Sequence, residues 1–319
     1  MKESRLFLLL LFVGPIFLVV FTFYKWDKSQ EEREEIHRMQ ELRKQLLRSQ
    51  CDGDVGEFPE GKRSLEDMSD QELSNLIVDD KHGIIYCYIP KVACSNWKKF
   101  FLVLNQSNPN LDPMSISSET AHINIQFNLL NRFPRSEMKE KLNHYTKFLY
   151  VRDPFVRLIS AFRSKFQKPD EHFYKLFGRD ILRMYGNQSD LPKTVEKAFA
   201  SGLHVSFYNF IQYLVDPRTE QPFEPHWRQM HRLCHPCLIR YDFIGHLETL
   251  QQDTEQLLEM LNLEVKIKFP PSHVDLTSSD ALSEWYSTVP LEDRRKLYTL
   301  YEEDFRLFGF RKPTELLDG

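Results

Sequence analysis

The apolar positions form one long block near the N-terminus and several short runs in the middle of the chain. Leu6 to Tyr24 is almost wholly apolar and carries no charge. A helix of this length spans about 28 Å, roughly one hydrocarbon core. We expect a single-pass signal-anchor over residues 6–24, with a cytoplasmic tail at 1–5, since Lys2 and Arg5 precede it. A cleaved signal peptide is disfavoured by the length of the run and by the absence of a small-residue cleavage motif.

The segment after this block, residues 25–50, is highly charged. Its apolar residues recur at near-heptad spacing: Ile36, Met39, Leu42 and Leu46. A short helix forming a homodimer and a solvated stem both fit, and the stem is simpler because the run is short for a coiled coil. Residues 51–64 contain glycines and Pro59 and predict a linker. We therefore expect a lumenal stem and linker over residues 25–72 and one folded domain over 73–319.

A short apolar run at residues 84–89, IIYCYI, predicts a buried strand rich in β-branched and aromatic residues. Pro90 ends it, small residues follow, and Ser95 is expected to cap a helix. That helix carries four apolar side chains near one face: Trp97, Phe100, Phe101 and Leu104. With Lys91 in the loop, the unit suits a phosphate or related oxyanion, because a helix N-terminus favours negative charge. Ordinary α/β packing is the alternative, and the Walker motif GxxxxGK[ST] is absent.

A second strand–helix unit follows at residues 147–151, KFLYV, which run straight into Arg152, Asp153 and Pro154. The helix after it spaces four apolar residues towards a core: Phe155, Leu158, Ile159 and Phe162. Arg152 stands at the carboxyl end of the strand, where open α/β sheets bind ligands, and Ser160 lies two turns along the helix. A guanidinium binds phosphate oxygens bidentately, so this pair suits a second phosphate. An Arg–Asp surface pair and an ordinary helix serine are the alternative.

Charge is distributed unevenly over a chain of otherwise ordinary composition. The 319 residues are 41% hydrophobic and 28% charged, and the net charge of −4 argues against general nucleic-acid binding. Residues 132–183 hold 13 Lys and Arg against 6 Asp and Glu, whereas residues 241–319 hold 8 against 16. The basic middle indicates a localised anion site.

Two N-x-S sequons and five cysteines bear on the compartment. The sequons, at Asn105 and Asn187, predict glycosylation in a lumen. Cys234 and Cys237 form a C-x-x-C pair without the second ligand pair of a structural zinc site, although nearby histidines keep zinc open. The other cysteines are Cys51, Cys87 and Cys94. We expect buried thiols at Cys87 and Cys94 and a disulfide in the oxidising lumen, with Cys51 as one possible partner; the connectivity is not readable.

Two motifs together resemble a known family. IPKVACSNW, followed about sixty residues later by FLYVRDPFVRLISAF, is similar to the paired nucleotide signatures of sulfotransferases, which use 3'-phosphoadenosine 5'-phosphosulfate. The later runs NFIQYLVDP, HWRQMHRLCHPC and YDFIGHLETL resemble Golgi carbohydrate sulfotransferases, most closely the chondroitin 4-O-sulfotransferases. The resemblance covers roughly residues 73–310. It implies an α/β sulfotransferase fold with a central parallel sheet and a P-loop-like strand–loop–helix.

The chain departs from the family pattern at a few positions. Ala93 and Cys94 stand where the wider superfamily often has Gly and Thr. Glu224 and Pro225 precede His226 where the chondroitin group commonly has Asn-Glu, and His246 stands where it has Lys. The changes at 224–225 and 246 concern contacts with the acceptor and do not concern use of the cofactor.

The resemblance also implies roles for individual residues. Lys91 would contact the 5'-phosphate and the oxygen that bridges phosphorus to sulfur, and so stabilise the leaving group. The first loop would wrap the phosphosulfate with Pro90, Lys91, Val92, Ala93, Cys94, Ser95 and Asn96. Arg152 and Ser160 would hold the 3'-phosphate. The residues between them would frame the nucleotide: Asp153, Pro154, Phe155, Val156, Arg157, Leu158 and Ile159. No metal is expected, because the leaving group is already activated.

Transfer to a sugar hydroxyl also needs a base, for which histidine is suited. His122, in ETAHINIQF, is the first candidate because it resembles the Ala-His of the chondroitin group, and His226 is the second. The acceptor is expected to be a polyanionic glycosaminoglycan. His226 and Arg228 are candidates to bind it, as are basic residues of the middle segment: Arg163, Lys165, Arg179 and Arg183. For each of these a solvated charged surface residue is the alternative.

We therefore expect a Golgi type II membrane protein with a lumenal sulfotransferase domain at 73–319. Its expected reaction is sulfation of carbon 4 of N-acetylgalactosamine in chondroitin or dermatan. One alternative is sulfation of N-acetylgalactosamine or glucuronate on glycoprotein or glycolipid glycans. An inactive lumenal glycan- or nucleotide-binding protein is a second alternative, disfavoured by the intact Lys91, Arg152 and Ser160. A nucleotide kinase is a third, disfavoured by the missing Walker residues.

Overall fold

The structure is a computed structural model that describes residues 2–52, 65–105, 112–220, 222–263, 269–270 and 282–318. The side chains of residues 2–19, 29, 32, 66 and 124 lie outside this description. Most of the predicted anchor is therefore described by its backbone alone, and the linker residues 53–64 are not described. Within the described part of the chain, no helix is long and apolar enough to cross a membrane.

The described residues form five strands of one sheet surrounded by helices. The strands are β1 (Leu76–Asp79), β2 (Ile84–Cys87), β3 (Asn128–Leu129), β4 (Thr146–Val151) and β5 (Phe243–His246). The helices of the first half are α1 (Lys2–Asp52), α2 (Cys94–Leu104), α3 (Ser118–Ala121), α4 (Arg135–His144), α5 (Pro154–Lys165), α6 (Glu171–Phe173) and α7 (Arg179–Tyr185). Those of the second half are α8 (Val195–Ala200), α9 (Phe207–Val215), α10 (Met230–Cys234), α11 (Leu250–Met260), α12 (Leu282–Tyr286), α13 (Leu291–Phe308) and α14 (Thr314–Leu317).

The sheet has the order β3-β1-β2-β4-β5 and is mixed. Strands β2, β4 and β5 are parallel, with Cys87 opposite Leu149 and Phe148 opposite Phe243. Strand β1 runs antiparallel to β2 and to β3. The prediction of a central parallel sheet is therefore correct for three strands and wrong for the sheet as a whole. Residues 80–83, which join β1 to β2, are too few for the crossover that a parallel pair requires.

Two hydrophobic clusters hold this architecture together. The first surrounds the sheet and includes Trp97 of α2, which packs 4.8 Å from the ring of Phe148. The second lies between α5, α9 and α13, where Phe155 contacts Tyr286 and Phe305. Both apolar runs that predicted strands are buried, because the sheet is covered by helices.

The C-terminal half of α1 lies against β5 and α11. Gln40 donates a hydrogen bond to the Ile244 carbonyl at 2.9 Å, and Arg43 donates to Asp253 at 2.8 Å. The apolar near-heptad residues Met39 and Leu42 stay exposed instead. The docked face therefore combines polar residues with apolar ones: Leu47 is buried, and the heptad residues Ile36 and Leu46 are half-buried. In contrast to a fully solvated stem, this part of residues 25–72 packs on the folded domain.

Four of the five cysteines form disulfides. Cys51 is bonded to Cys237 and Cys87 to Cys234, so the C-x-x-C pair is divided between two partners. The expectation of a free thiol at Cys87 is wrong, because the end of α10 lies against β2 and brings Cys234, 147 residues away in sequence, to Cys87. Cys94 is free and buried, as expected. Within the described residues, no group of three His, Cys, Asp or Glu side chains could hold a metal ion.

Candidate active site

The two sequence motifs meet at one edge of the sheet. Because β2 and β4 are adjacent and parallel, the loops that follow them lie side by side. The guanidinium of Arg152, at the end of β4, donates to the backbone carbonyl of Lys91 at 3.3 Å. Two segments 61 residues apart thus form one site.

The loop after β2 is held in a strained, compact shape. Lys91 has φ +71° and Ala93 φ +51°, both in the left-handed region that favours glycine. Ala93 is the N-cap of α2 and has no side chain to accept from the first N–H groups of the helix. The prediction that Ser95 caps the helix is therefore wrong, since α2 begins at Cys94. A helix N-terminus without a side-chain cap is suited to bind an anion.

Positive charge is concentrated around this loop. Burial lowers the pKa of Lys91 to about 8; the Cys94 thiol opposes this shift, and the charges of Lys165, Arg152 and Arg157 add to it. Burial also lowers the pKa of Arg152 to about 10. Burial disfavours the charged forms of these two side chains, so a bound anion stabilises them strongly.

The loop after β4 leads directly into α5. Asp153 caps this helix, accepting from the backbone N–H groups of Phe155 at 2.9 Å and Val156 at 3.0 Å. Burial raises the pKa of its carboxyl to about 6. Its own N–H donates to the Glu248 carboxylate at 3.0 Å. Asp153 is thus committed to holding the start of α5 beside Arg152.

The predicted nucleotide-framing residues divide into buried and accessible positions. Most are buried, namely Pro154, Phe155, Val156, Arg157, Leu158 and Ile159. Ser160 is half-buried on the same helix. In the first loop Pro90, Val92, Cys94 and Asn96 are buried, whereas Lys91, Ala93 and Ser95 are half-buried. The half-buried polar side chains of the two motifs are those of Lys91, Ser95, Asp153 and Ser160, whereas Arg152 is only 3% exposed.

Arg157 joins the first loop to a third segment. It is 1% exposed, and its guanidinium donates to three backbone carbonyls. The acceptors are Pro90 at 3.0 Å, Arg228 at 2.7 Å and Pro225 at 2.8 Å. The segment 223–229 is therefore fixed against the Lys91 loop, a connection that no local sequence pattern indicated.

Both histidines proposed as the base lie in this region. His122 Nε2 is 2.9 Å from Ser95 Oγ. His226 Nδ1 is 2.8 Å from a carboxylate oxygen of Glu224. His122 is exposed, and desolvation together with the charges of Lys98 and His226 lowers its pKa to about 4. Burial lowers the pKa of His226 as well, against the opposing effect of Glu224.

The basic residues predicted to bind an acceptor have different surroundings. The Lys165 ammonium lies 4.1 Å above the Phe173 ring, which also contacts the His226 ring at 5.4 Å. Arg228 is half-buried and donates to the Phe223 carbonyl at 2.6 Å. Arg163 is half-buried on α5, and Arg179 is half-buried at the start of α7. Exposed Arg183 pairs with Asp180 at 2.5 Å.

Three residues near the site were missed by sequence reasoning. Glu224 was noted only as a departure from a family pattern, and Glu248 and Lys98 were not singled out. The Lys98 ammonium lies 3.9 Å above the Tyr88 ring. Only the spacing of Glu224 and His226, two residues apart around a proline, offered a local signal.

Comparison with known proteins identifies the group to which the chain belongs. A family model described as the sulfotransferase family matches residues 74–311. The chain belongs to the sulfotransferase family. This sulfotransferase is 49% identical to carbohydrate sulfotransferase 12 of Mus musculus over 309 residues, 92% of this chain and 74% of the mouse protein. The protein of the same name from Xenopus laevis is 49% identical over 312 residues, with 92% and 74% covered.

Carbohydrate sulfotransferase 11 of Mus musculus is 37% identical over 253 residues, which cover 78% of this sulfotransferase and 70% of the mouse protein. No solved structure matches the chain. The family and these relatives make the chain a carbohydrate sulfotransferase, and its mixed α/β sheet fits the sulfotransferase fold.

Family membership implies 3'-phosphoadenosine 5'-phosphosulfate as the sulfate donor. The residues present fit this molecule. The N-terminus of α2 and the Lys91 ammonium suit one phosphate group, and Arg152 with Ser160 suits a second. The negative charge of Asp153 is compatible with a phosphate nearby, because its carboxylate is bound to the first N–H groups of α5.

Proposed function

We propose that this sulfotransferase transfers the sulfuryl group of its donor to the carbon 4 hydroxyl of N-acetylgalactosamine in chondroitin or dermatan chains. The hydrogen bond between Arg152 and the Lys91 carbonyl supports the transfer, because it unites the two anion-binding elements. The resemblance of the later motifs to chondroitin 4-O-sulfotransferases supports the acceptor.

The donor and a few side chains have defined roles in this proposal. The bound donor supplies a sulfuryl group that is activated by its link to phosphate. Lys91 stabilises the charge that develops on the departing phosphate oxygen, at a half-buried position where electrostatic interactions are strong. Arg152 and Ser160 hold the 3'-phosphate. A histidine, His122 or His226, takes the proton of the acceptor hydroxyl.

The acceptor is a polyanion, and the basic surface of the middle segment suits it. Residues 132–183 carry the surplus of Lys and Arg. Lys165 lies beside the His226 ring through their shared contact with Phe173. We propose that Lys165 and Arg163, together with His226 and Arg228, bind sulfate or carboxylate groups of the acceptor chain.

We also propose a Golgi location, with a single-pass anchor at residues 6–24 and a lumenal catalytic domain. The two disulfides support an oxidising compartment. Asn105 and Asn187 are both exposed, which glycosylation requires.

The decisive experiment maps the position of transferred sulfate. The full chain, purified in detergent, is supplied with donor carrying radioactive sulfate and with chondroitin, dermatan and glycoprotein glycans. The expected product carries label at carbon 4 of N-acetylgalactosamine in chondroitin or dermatan. Label only on another sugar or position would replace this acceptor. Binding of donor without transfer to any glycan would favour an inactive binding protein.

A further inference from the structure

Glu224 forms a local ring with His226. One carboxylate oxygen is 2.8 Å from His226 Nδ1, and the other accepts from the His226 backbone N–H at 2.7 Å. Because Pro225 lies between the two residues, the segment has little freedom to open this ring. The carboxylate can only accept, so the neutral imidazole carries its proton on Nδ1.

The opposite ring nitrogen of His226 is therefore a lone-pair acceptor. Within the described residues nothing donates to or accepts from Nε2. The His226 side chain is 24% exposed. A base held in one tautomer by a carboxylate, with its other nitrogen free, has the arrangement that proton abstraction requires.

The segment that carries His226 is also joined to the Lys91 loop. Arg157 donates to the carbonyl of Pro225, next to His226, and to the carbonyl of Pro90, next to Lys91. One buried guanidinium thus sets the separation of the two segments. The charges of Lys165 and Lys91 both lower the pKa of His226.

His122 is placed differently. Its Nε2 is engaged with the Ser95 hydroxyl at 2.9 Å, and no carboxylate contacts its ring in the described part of the chain. Ser95 belongs to the loop that is proposed to wrap the phosphosulfate. The geometry therefore suits His122 to orient that loop and leaves His226 as the better oriented base.

We infer that Glu224 is a positioning residue that holds His226 as the general base for the acceptor hydroxyl. This inference rests on the proposed sulfotransferase reaction. The acceptor oxygen bonds to sulfur as the bond from sulfur to the 5'-phosphate oxygen breaks, and that bond's electron pair stays on the phosphate. The hydroxyl proton moves to Nε2, and the resulting imidazolium is stabilised by Glu224.

The charged groups around His226 set the sign of its pH dependence. Glu224 raises its pKa, whereas the charges of Lys165 and Lys91 lower it. His122 lies near enough for the two rings to affect each other. The charge of Glu224 also raises the pKa of Arg157 and of Arg228, against the larger effect of burial. Removing the charge of Glu224 will therefore lower the pKa of His226 and move the acid limb of kcat to lower pH.

The first test reads the tautomer directly. The full chain is labelled with ¹⁵N in its histidine rings, and the His226 signals are assigned with His226→Asn. We expect the Nδ1–H tautomer at neutral pH. Glu224→Gln, which keeps an acceptor, should retain it, and Glu224→Ala should revert to the Nε2–H form of free histidine. An Nε2–H tautomer in the unchanged chain would overturn the inference.

The second test compares kinetics of matched variants. We expect His226→Ala to lower kcat by about 10²–10⁴-fold, the usual contribution of a general base. Glu224→Gln should lower kcat about tenfold and shift the acid limb down by about one pH unit, because a neighbouring opposite charge is lost. Binding of adenosine 3',5'-bisphosphate should stay within about twofold, which shows that the donor site is folded.

His122→Ala is the matched control. We expect His122→Ala to leave the acid limb of the kcat–pH profile unchanged and to act mainly on the KM of the donor. Loss of that limb in His122→Ala, with an unshifted limb in Glu224→Gln, would assign the base to His122 and reject the inference. If the unchanged chain transfers sulfate to no glycan, the proposed function fails separately, and the tautomer measurement shows whether Glu224 still orients the ring.

Discussion

The surroundings of Lys91 disfavour the charged form of its side chain. Its half-buried ammonium lies in the field of Arg152, Arg157 and Lys165, and its pKa falls to about 8 from the ordinary 10.5. Because the folded-state pKa is below the unfolded value, this penalty is full below about pH 8 and lessens as the pH rises through it. A bound phosphate reverses the balance by favouring the charged form.

Donor binding should therefore be accompanied by proton uptake above pH 8. We expect adenosine 3',5'-bisphosphate to bind with uptake of about half a proton or more at pH 8.5, since Lys91 is then mostly neutral. Calorimetry in two buffers of different ionisation enthalpy measures this number. Lys91→Arg, which stays charged, is the control and should show no uptake. Equal uptake by both proteins would show that another group titrates.

Arg152 should contribute strongly to binding of the 3'-phosphate. A hydrogen bond to a charged group contributes roughly 1.5–3 kcal/mol, so Arg152→Ala should weaken binding of adenosine 3',5'-bisphosphate by about 10- to 100-fold. Titration calorimetry measures the affinity. Arg183→Ala, which removes an exposed residue paired with Asp180, is the control and should leave it unchanged. A normal affinity in Arg152→Ala would remove this residue from the site.

At the scale of elements, helices are joined to the sheet by buried polar contacts as well as by apolar packing. Arg43 of α1 donates to Asp253 of α11 and to the Ile244 carbonyl of β5. Asp253 is 2% exposed and also accepts from the His246 N–H and the Thr249 hydroxyl. This carboxylate ties three elements together.

Loss of Arg43 should therefore destabilise the protein. Removing one partner of a buried ion pair costs about 3–5 kcal/mol, because the remaining charge is left uncompensated. We expect Arg43→Ala to lower the free energy of unfolding by that order. Arg33→Ala, which breaks an exposed pair with Glu259 on the same two helices, should cost less than about 1 kcal/mol. Chemical denaturation of both variants measures the difference.

At the scale of the whole molecule, two disulfides connect distant parts of the chain to one short segment. Cys237 holds the end of α1 through Cys51, and Cys234 holds β2 through Cys87. The two bridges span 186 and 147 residues. The N-terminal helix and the strand before the Lys91 loop are thus both attached near α10.

Peptide mapping without reduction should find the pairs Cys51–Cys237 and Cys87–Cys234, with Cys94 alkylated only after unfolding. The double variant Cys51→Ser with Cys237→Ser should lose about 2–5 kcal/mol of stability, as expected for a long closed loop. Thermal unfolding measures the loss. A bridge between Cys234 and Cys237 would contradict the structure.

The sequence by itself determined the two strand–loop–helix units and the family. Runs of β-branched and aromatic residues, the proline breaks and the paired motifs are local, so they can be read without knowing what packs where. Lys91, Arg152 and Ser160 were singled out in this way, and the first two are joined by a hydrogen bond.

Only the tertiary structure decided the antiparallel β1, the disulfide partners, the role of Ser95 and the carbonyl contacts of Arg157. Ser95 lies beside His122 instead of capping α2, because the left-handed Ala93 already begins the helix. In the sequence, Arg157 is one residue of the second nucleotide motif. In the structure, its guanidinium donates to backbone carbonyls 67 to 71 residues away. Such contacts depend on which strands become neighbours, and no pattern within a single segment records that choice.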